Sequence, residues 1–377
     1  MTRLEFDTEP PPVEIDGTDP EALDAALSAL PNRPAVFILW PGEGAPHLAR
    51  TAQLRRRLLR LLGPRASRLA NLRGVVTRIQ CWWTGSLLES WLLHYRLAKR
   101  CYPETYRQVT KLRFPPYVKI TLDNAFPRTQ ITSHLSRGPG LWFGPFRSRA
   151  TAERFEAQAL ELFQLRRCQE DLTPAPDHPG CIYGEMGRCL RPCQQVVGPD
   201  EYRHEAERVA HFFQSGGKSL LEPTAAARDR FSAELDFEQA ARQHRLLERI
   251  QAVLALRDEL VEDADRLHGV AVTASHQEGA VDLRLVWQGV WQPVCRFPVT
   301  DAGGQNLSLD RRLRELLQDF PVRTTSVRER QEHLALLARW FYSSWRDGDW
   351  IPFSSLEALP YRKLVRAISR AAARRAS

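Results

Sequence analysis

The chain has 377 residues, enough for two or three domains that each bury a core. Its composition, 43% apolar and 26% charged with a mean hydropathy of -0.40, is that of a soluble globular protein. It holds no apolar run of about 18 residues and opens on an acidic, proline-rich stretch, which argues against membrane insertion and secretion and for the cytoplasm. The net charge of +8 points weakly to a polyanionic partner, and its distribution points there more strongly.

Residues 1–30 read as a loose arm with one short helix in "DPEALDAALSAL", which begins on an Asp start signal. In 31–110, "AVFILW" between Pro34 and Pro41 reads as a buried strand, and "APHLAR" as its hairpin partner across Gly42 to Gly44. A helix is expected over about 51–62 with Leu54, Leu58, Leu61 and Leu62 as its buried stripe. "VVTRIQCWWT" then gives a third strand, and "SLLESWLLHYRLAKRCY" a helix that starts at a Ser cap. Strands and helices in this order make a compact α+β unit. Eight arginines lie between residues 50 and 73 with no carboxylate among them, including Arg50, Arg55, Arg56, Arg57 and Arg60. They suit either a nucleic-acid backbone or a solvated helix face.

In 111–215, "FPPYVKITLDNAFPRTQITSHL" holds two strand-like runs, followed by "LWFGPFRS" and a helix over 150–165. From 168 to 198 the chain is loop-like and contains four of the seven cysteines. Cys168, Cys181, Cys189 and Cys193 are separated by 12, 7 and 3 residues. A Pro- and Gly-rich loop needs a staple, and clustered thiols without a secretion signal point to zinc or an iron–sulfur cluster, between which sequence does not choose. The plain alternative is four unrelated cysteines. Cys81, Cys101 and Cys295 sit in apolar contexts and read as core residues.

Helical stretches follow over 200–215 and 222–260. A hairpin over 216–262 would use Leu235, Ala241, Leu246, Ile250 and Leu254 as its seam. In 263–377, "LHGVAVTA", "VDLRLVWQG" and "QPVCRFPV" alternate like strands and the remainder is mostly helical. It ends on a basic tail in which Arg362, Arg366, Arg370 and Arg374 would form one helical stripe.

The run "FGPFRSRATAERFEAQALELFQLRRC", with "HPGCIYGEMGRCLRPC" and "DEYRHEAERVAHFFQSG", resembles the middle of the UvrC family of nucleotide excision repair. Phe143, Gly144, Pro145, Phe146, Phe163, Leu165, Arg166 and the four cysteines fit that pattern. "LDFEQAARQHRLLERI" is similar to the UVR motif through Leu235, Phe237, Glu238, Ala240, Ala241 and Arg245. The resemblance implies a [4Fe-4S] cluster on the four cysteines, with zinc as the alternative, and a hairpin that docks a UvrB-type partner or packs only within the chain. It also implies an overall α+β architecture: a GIY-YIG-like module with a small mixed sheet and flanking helices, a Cys-cluster domain, a UVR-like hairpin and a C-terminal α/β module.

A GIY-YIG nuclease holds Mg or Mn on a helix Glu, with tyrosines, a Lys, an Arg and an Asn around the scissile phosphate. Here the resemblance places Phe37 at the first tyrosine, His47 at the second, Arg50 at the lysine, Arg57 at the arginine and Leu61 at another tyrosine. Matching Leu97, Lys99 and Pro103 puts His94 at the metal-ligand position and Glu89 on an earlier acid. A slip of five residues would restore Glu89, and Tyr106 or Arg107 takes the place of the Asn. Imidazole is a poor magnesium ligand, so the site is expected to bind phosphate without cutting it. His47 and His94 equally fit polar residues lining a cleft. The second, RNase H-like nuclease of the family is expected to be absent. The principal reading is a UvrC-like DNA-binding protein of repair type with an inactive nuclease site. The alternatives are a single-incision endonuclease like Cho, using Glu89 or a His-based site, and a partner-docking module without DNA contact.

Overall fold

The computed structural model describes residues 11–64, 71–299, 308–318 and 320–376. Arg65 and Arg68 of the basic stretch lie outside them. The first sheet is built from β1 (Val13–Asp16), β2 (Ala35–Pro41), β3 (His47–Thr51) and β4 (Val76–Trp83), in the order β1-β4-β2-β3. Every pairing is antiparallel, not mixed as expected: β2 and β3 form a hairpin, and after α2 the chain returns as β4, antiparallel to both β2 and β1. The stretch read as a loose arm supplies β1 and α1 (Pro20–Ala29), whose Leu23 and Leu27 are buried and whose N-terminus Asp19 caps.

β2 is central and apolar on both faces. Ala35, Phe37 and Leu39 pack toward α1 and α2 (Leu54–Leu62), while Val36 and Ile38 pack toward α3 (Leu87–Cys101) and the short α4 (Tyr106–Val109). This alternation divides the module into two sides. In α2 the buried residues are Leu54, Leu58, Leu61 and Leu62, the expected stripe. Ser86 caps α3 by accepting the Glu89 N–H.

The second sheet contains β5 (Tyr117–Ile120), β6 (Thr129–Thr132), β7 (Leu141–Gly144) and β8 (Glu262–Asp263), in the order β6-β5-β7-β8. Against it pack α5 (Arg149–Ala159) and α7 (Pro199–Gln214), with Phe143 stacked on Phe213 at 4.8 Å and on Phe155 at 5.4 Å. The cysteine loop, with its one-turn α6 (Ile182–Glu185), runs between those helices. α8 (Lys218–Ala233) and α9 (Phe237–Leu254) form the expected hairpin. Of its expected seam, Ile250 is buried and Leu246 and Leu254 are half-buried against the core, whereas Ala241 is exposed and Leu235 takes φ of 60° at the tip and is 71% exposed. The tight turn rotates Leu235 away from the helix interface.

The third sheet contains β9 (Gly269–Ala274), β10 (Ala280–Trp287), β11 (Val290–Pro298) and β12 (Gly348–Pro352), antiparallel in the order β11-β10-β9-β12. β12 falls in the part read as mostly helical. One face is covered by α10 (Leu309–Leu317) and α12 (Tyr361–Ala376), which bury Leu313, Leu317, Leu364, Ala367 and Ile368. Arg362, Arg366 and Arg370 are therefore turned outward; the Arg374 side chain lies outside the described residues.

α11 (Val327–Phe341) joins the units. Leu334, Leu337 and Trp340 share a core with Leu88 of α3, Tyr117 of β5 and Val286 of β10. One turn earlier the Glu332 carboxylate is 1% exposed, and accepts hydrogen bonds from Tyr95 at 2.5 Å, Tyr106 at 2.6 Å and Arg107 Nε at 2.8 Å. Burial alone would raise its pKa, but these three donors and the Arg107 charge hold it below the usual value. Glu332→Ala is expected to lower unfolding stability by about 3 kcal/mol, since two hydroxyls and a guanidinium lose their acceptor. Urea denaturation checks this; a loss under about 1 kcal/mol would remove the network from the interactions that hold α11 in place.

Candidate functional site

Glu89 occupies the first turn of α3, and its carboxylate is closed off by the third sheet. Oε2 accepts the Gly85 N–H at 2.7 Å, and Oε1 lies 2.7 Å from His276 Nδ1, 3.7 Å from Arg284 Nη2 and 3.9 Å from Arg296 Nη2. Arg284 and Arg296 also bind Asp282, at 2.7 and 3.1 Å. Burial favours the protonated acid, but the His276 hydrogen bond and the Arg284 charge outweigh it and lower the Glu89 pKa. Both oxygens are thus engaged within the chain. Glu89, a metal ligand only in the register slipped by five residues, is a buried member of an ion-pair network; sequence did not find its partners His276 and Arg284, which lie some 190 residues downstream.

Arg50 and His94 meet on the α3 side of the first sheet. The Arg50 guanidinium lies 5.6 Å from the centre of the Trp91 ring and that of Arg339 lies 4.7 Å from it, so two cations share one indole. Arg339 donates to the Thr110 carbonyl at 2.9 Å; Arg50 makes no hydrogen bond or ion pair among the described residues. Burial and the neighbouring Arg339 push the Arg50 pKa down to about 10. Burial, Arg50 and Arg339 together push His94 down to about 4, so its imidazole is neutral at pH 7. A cleft of about 370 Å³ opens beside Arg50, lined also by Thr51, Ser86, Ser90 and Asp347. Asp347 accepts the Leu87 N–H and the Trp340 indole N–H, so it serves the start of α3.

The other expected site residues stand apart. Strand alternation sends Leu48 and Arg50 to the α3 side and His47 to the opposite one, where its ring lies 6.4 Å from that of Phe37. His47 and His94 therefore do not face one cleft, which corrects their grouping as one site. Arg57 is half-buried on α2, and Arg55, Arg56 and Arg60 are exposed there. Arg339 was missed from sequence; it is contributed by a helix that nothing local ties to the first module.

The four cysteines are brought together in one neighbourhood. Cys168 is half-buried, Cys181 exposed, and Cys189 and Cys193 buried. Burial, opposed by the Arg191 N–H and aided by Cys181, Cys168 and Cys193, pushes the Cys189 thiol up to about 11; burial, Cys168 and Cys181 likewise raise Cys193. The Arg191 N–H points at Cys189 Sγ at 3.4 Å, and Arg166 Nη1 lies 3.4 Å from Cys168 Sγ. Arg166 is fully buried, has no carboxylate partner among the described residues, and leaves Nη2 without a hydrogen bond. A buried cation beside the Cys168 thiol would offset negative charge if that thiol ionised. No three His, Cys, Asp or Glu side chains are gathered closely enough to hold a metal ion among the described residues. Cys81 and Cys295 are buried, which pushes each thiol up to about 12, as core residues would be.

Residues 115–212 match the family "UvrC/Cho excinuclease, middle domain", the segment that carries this cysteine loop. The chain resembles the UvrC family over this segment and, at 25 to 28% identity, over much of its length. It is similar to the UvrABC system protein C of Moorella thermoacetica, 27% identical over 332 residues, or 84% of this chain and 53% of the relative. It is also similar to those of Lachnospira eligens, 25% identical over 275 residues (71% and 44%), and Desulforudis audaxviator, 28% over 227 residues (60% and 37%). The UvrC-like chain thus spans about half the length of the relatives it matches. No solved structure matches it. No helix among its described residues is long and apolar enough to cross a membrane.

Buried His268 and half-buried His94 and His333 give this UvrC-like chain a defined acid response. Burial lowers His94, His268 and His333 each to about 4, so between about pH 6.5 and 4 the unfolded chain binds protons that the folded chain does not. Stability is full above that window and falls as pH drops through it, by up to about 1.4 kcal/mol per pH unit for each histidine. Melting temperatures measured from pH 7.5 to 4 are expected to decline most steeply below pH 6.5, and His94→Gln to flatten the decline. An unchanged profile in the variant would assign the response to other groups.

Proposed function

We propose that this chain is a DNA-binding protein of the nucleotide-excision-repair type, acting in the cytoplasm, whose nuclease-like module grips phosphate without cutting it. The observation that carries this reading is the engagement of Glu89 by Gly85, His276 and Arg284. Phosphodiester hydrolysis at such a site needs a hard divalent cation on a carboxylate. Near Arg50 and Arg339 the remaining groups are neutral His94 and the Asp347 carboxylate, whose oxygens already accept from the Leu87 N–H and the Trp340 indole, a set that favours an anion over Mg or Mn. Incision through Glu89, as in a Cho-like enzyme, would require its carboxylate to leave three internal partners.

Exposed Arg55, Arg56 and Arg60, with half-buried Arg50 and Arg57, would supply the backbone contacts. The tip of the α8–α9 hairpin exposes Leu235 at 71% and Phe237 at 66%, which supports docking of a UvrB-type partner there.

With Mg or Mn, the chain is expected to leave nicked and intact plasmid in their starting proportions while binding duplex DNA with an affinity that falls at least tenfold between about 50 and 200 mM salt. Arg50→Ala should weaken that binding about three- to tenfold. Metal-dependent nicking that disappears in Glu89→Gln or His94→Ala would overturn the inactive-site reading, and a flat salt response would overturn phosphate-driven binding.

For the cysteines, the reading is a [4Fe-4S] cluster held by Cys168, Cys181, Cys189 and Cys193, with zinc as the alternative occupant. It is supported by their mutual proximity and by the uncompensated charge of Arg166. Such a group would supply a staple for a loop with little core of its own. Anaerobically purified protein is expected to be brown, with broad absorption near roughly 400 nm that Cys193→Ser removes. A colourless protein with one zinc per chain would replace iron by zinc, and a metal-free, fully folded protein would overturn both.

A further inference from the structure

The loop between α11 and β12 carries an indole that the fold leaves uncovered. Trp345 is 81% exposed, more than any other large apolar side chain among the described residues. Its backbone is held on both sides: the Ser343 hydroxyl accepts the Trp345 N–H at 3.1 Å, the Ser343 carbonyl accepts the Arg346 N–H at 3.2 Å, and the Trp340 carbonyl accepts the Ser343 N–H at 3.2 Å. Two residues on, Asp347 accepts the Leu87 N–H and the Trp340 indole N–H. A turn pinned in this way presents the ring instead of letting it fold back onto apolar surface, although an indole has more such area to hide than almost any other side chain.

The loop is bracketed by the two-cation face. Arg339, six residues before Trp345, shares the Trp91 indole with Arg50, and Asp347, two residues after it, lines the Arg50 cleft. Two residues of extended chain span about 7 Å, roughly two base steps of a strand. One oligonucleotide can therefore reach both the cleft and the ring. The hollow on the far side of the loop is lined by Arg147, Arg257 and Arg346 but also by Asp258 and Glu259, so it is close to balanced in charge and the anion is drawn by the Arg50 side.

The surroundings of the ring select its partner. Ser344 and Arg346 on either side are exposed and polar, so the apolar surface is one ring wide, where a folded partner or a bilayer needs a broader patch. A flat aromatic group carried on a polyanion fits both the ring and the neighbouring cations, and a nucleobase is such a group. In an intact duplex both faces of a base are covered by its neighbours, so only a base out of the stack has a face to offer. We propose that Trp345 is a stacking platform for one unpaired base of a DNA strand whose phosphate sits in the Arg50 cleft, and that the chain thereby prefers DNA with unpaired bases to intact duplex. The phosphate part rests on the reading of the Arg50 cleft given above; the base part is independent of it.

Fluorescence anisotropy of the full chain with a labelled thymidine strand, a strand of the same length that is abasic at every position, and a matched duplex tests the assignment. The thymidine strand is expected to bind about tenfold more tightly than the abasic strand, and more tightly than the duplex. Trp345→Ala should weaken the thymidine strand by that same factor, leave the abasic strand unchanged and leave the melting temperature unshifted, while Trp345→Phe keeps most of the preference. Equal affinity for the two strands, or a preference that survives in Trp345→Ala, would overturn the platform. Binding to phosphatidylserine vesicles that Trp345→Ala abolishes, with DNA affinity untouched, would assign the ring to a membrane surface and overturn it as well. Arg50→Ala should weaken both strands alike: that result without a strand preference leaves the cleft standing and removes the platform, whereas a Trp345-dependent preference without an Arg50 effect keeps the platform and removes the cleft.

Discussion

The contact on which the molecule turns is the burial of the first turn of α3 against the turn between β9 and β10, at Ser275 and His276. A helix start leaves backbone N–H groups without partners and carries a partial positive charge. Here Glu89, Ser86 and Asp347 answer both: Glu89 accepts from Gly85, Ser86 from Glu89, and Asp347 from Leu87. The approach is so close that a Cβ on Gly85 would stand 2.1 Å from the Ser275 carbonyl carbon, so glycine is required there by contact. Ser86 and Thr273 hydroxyls meet at 3.3 Å in the same buried seam. Moving the Glu89 carboxylate out to meet a metal would therefore take the acceptor from the Gly85 N–H, remove a carboxylate from beside His276 and Arg284, and loosen the joint between two units.

The same joint explains the polarity of α11. A helix this buried would ordinarily be apolar all round, yet Glu332 and Gln331 lie inside. Each is satisfied from another unit: Glu332 by Tyr95, Tyr106 and Arg107, and Gln331 by the Ser133 carbonyl at 2.7 Å. Hydrogen bonds that need particular partners fix the rotation of α11 more narrowly than apolar contact does. That rotation sets Arg339 over Trp91, and so creates the two-cation face that includes Arg50.

Local pattern carried much of this into the sequence. Period-two and period-3.6 runs of apolar residues located β2, β3, β4, α2 and α3, because each of these elements buries a face that its own residues specify. The four-cysteine spacing and the motifs around Phe143 and Arg166 were equally local. What could not be read depended on distant chain. β1 is four residues long and owes its existence to pairing with β4, and β12 depends on β9 in the same way. His47 and Arg50 are three residues apart, yet strand alternation places them on opposite faces, so motif spacing alone joined residues that the sheet separates. Leu235 was assigned to a seam by helical period, but the chain leaves the helix there, with φ of 60°. Glu89 was the hardest case, since its environment is made by His276, Arg284 and Arg296.

The arrangement of unpaired charge separates what the fold needs from what a ligand supplies. Charges that stabilise the fold are paired: Arg107 with Glu332, Arg73 with Asp24, and Arg284 and Arg296 with Asp282. Arg50 and Arg339 are instead crowded onto one indole, and their mutual repulsion contributes to the lowered pKa of Arg50. Folding alone gains little from that placement, because a partly buried guanidinium beside a like charge is unfavourable without an anion. Arg166 presents the same signature beside the four thiols, where thiolates bound to a metal group would complete its charge balance. The two proposed sites, one for phosphate and one for a thiophilic group, thus share a physical mark: a partly or fully buried arginine with no carboxylate partner among the described residues.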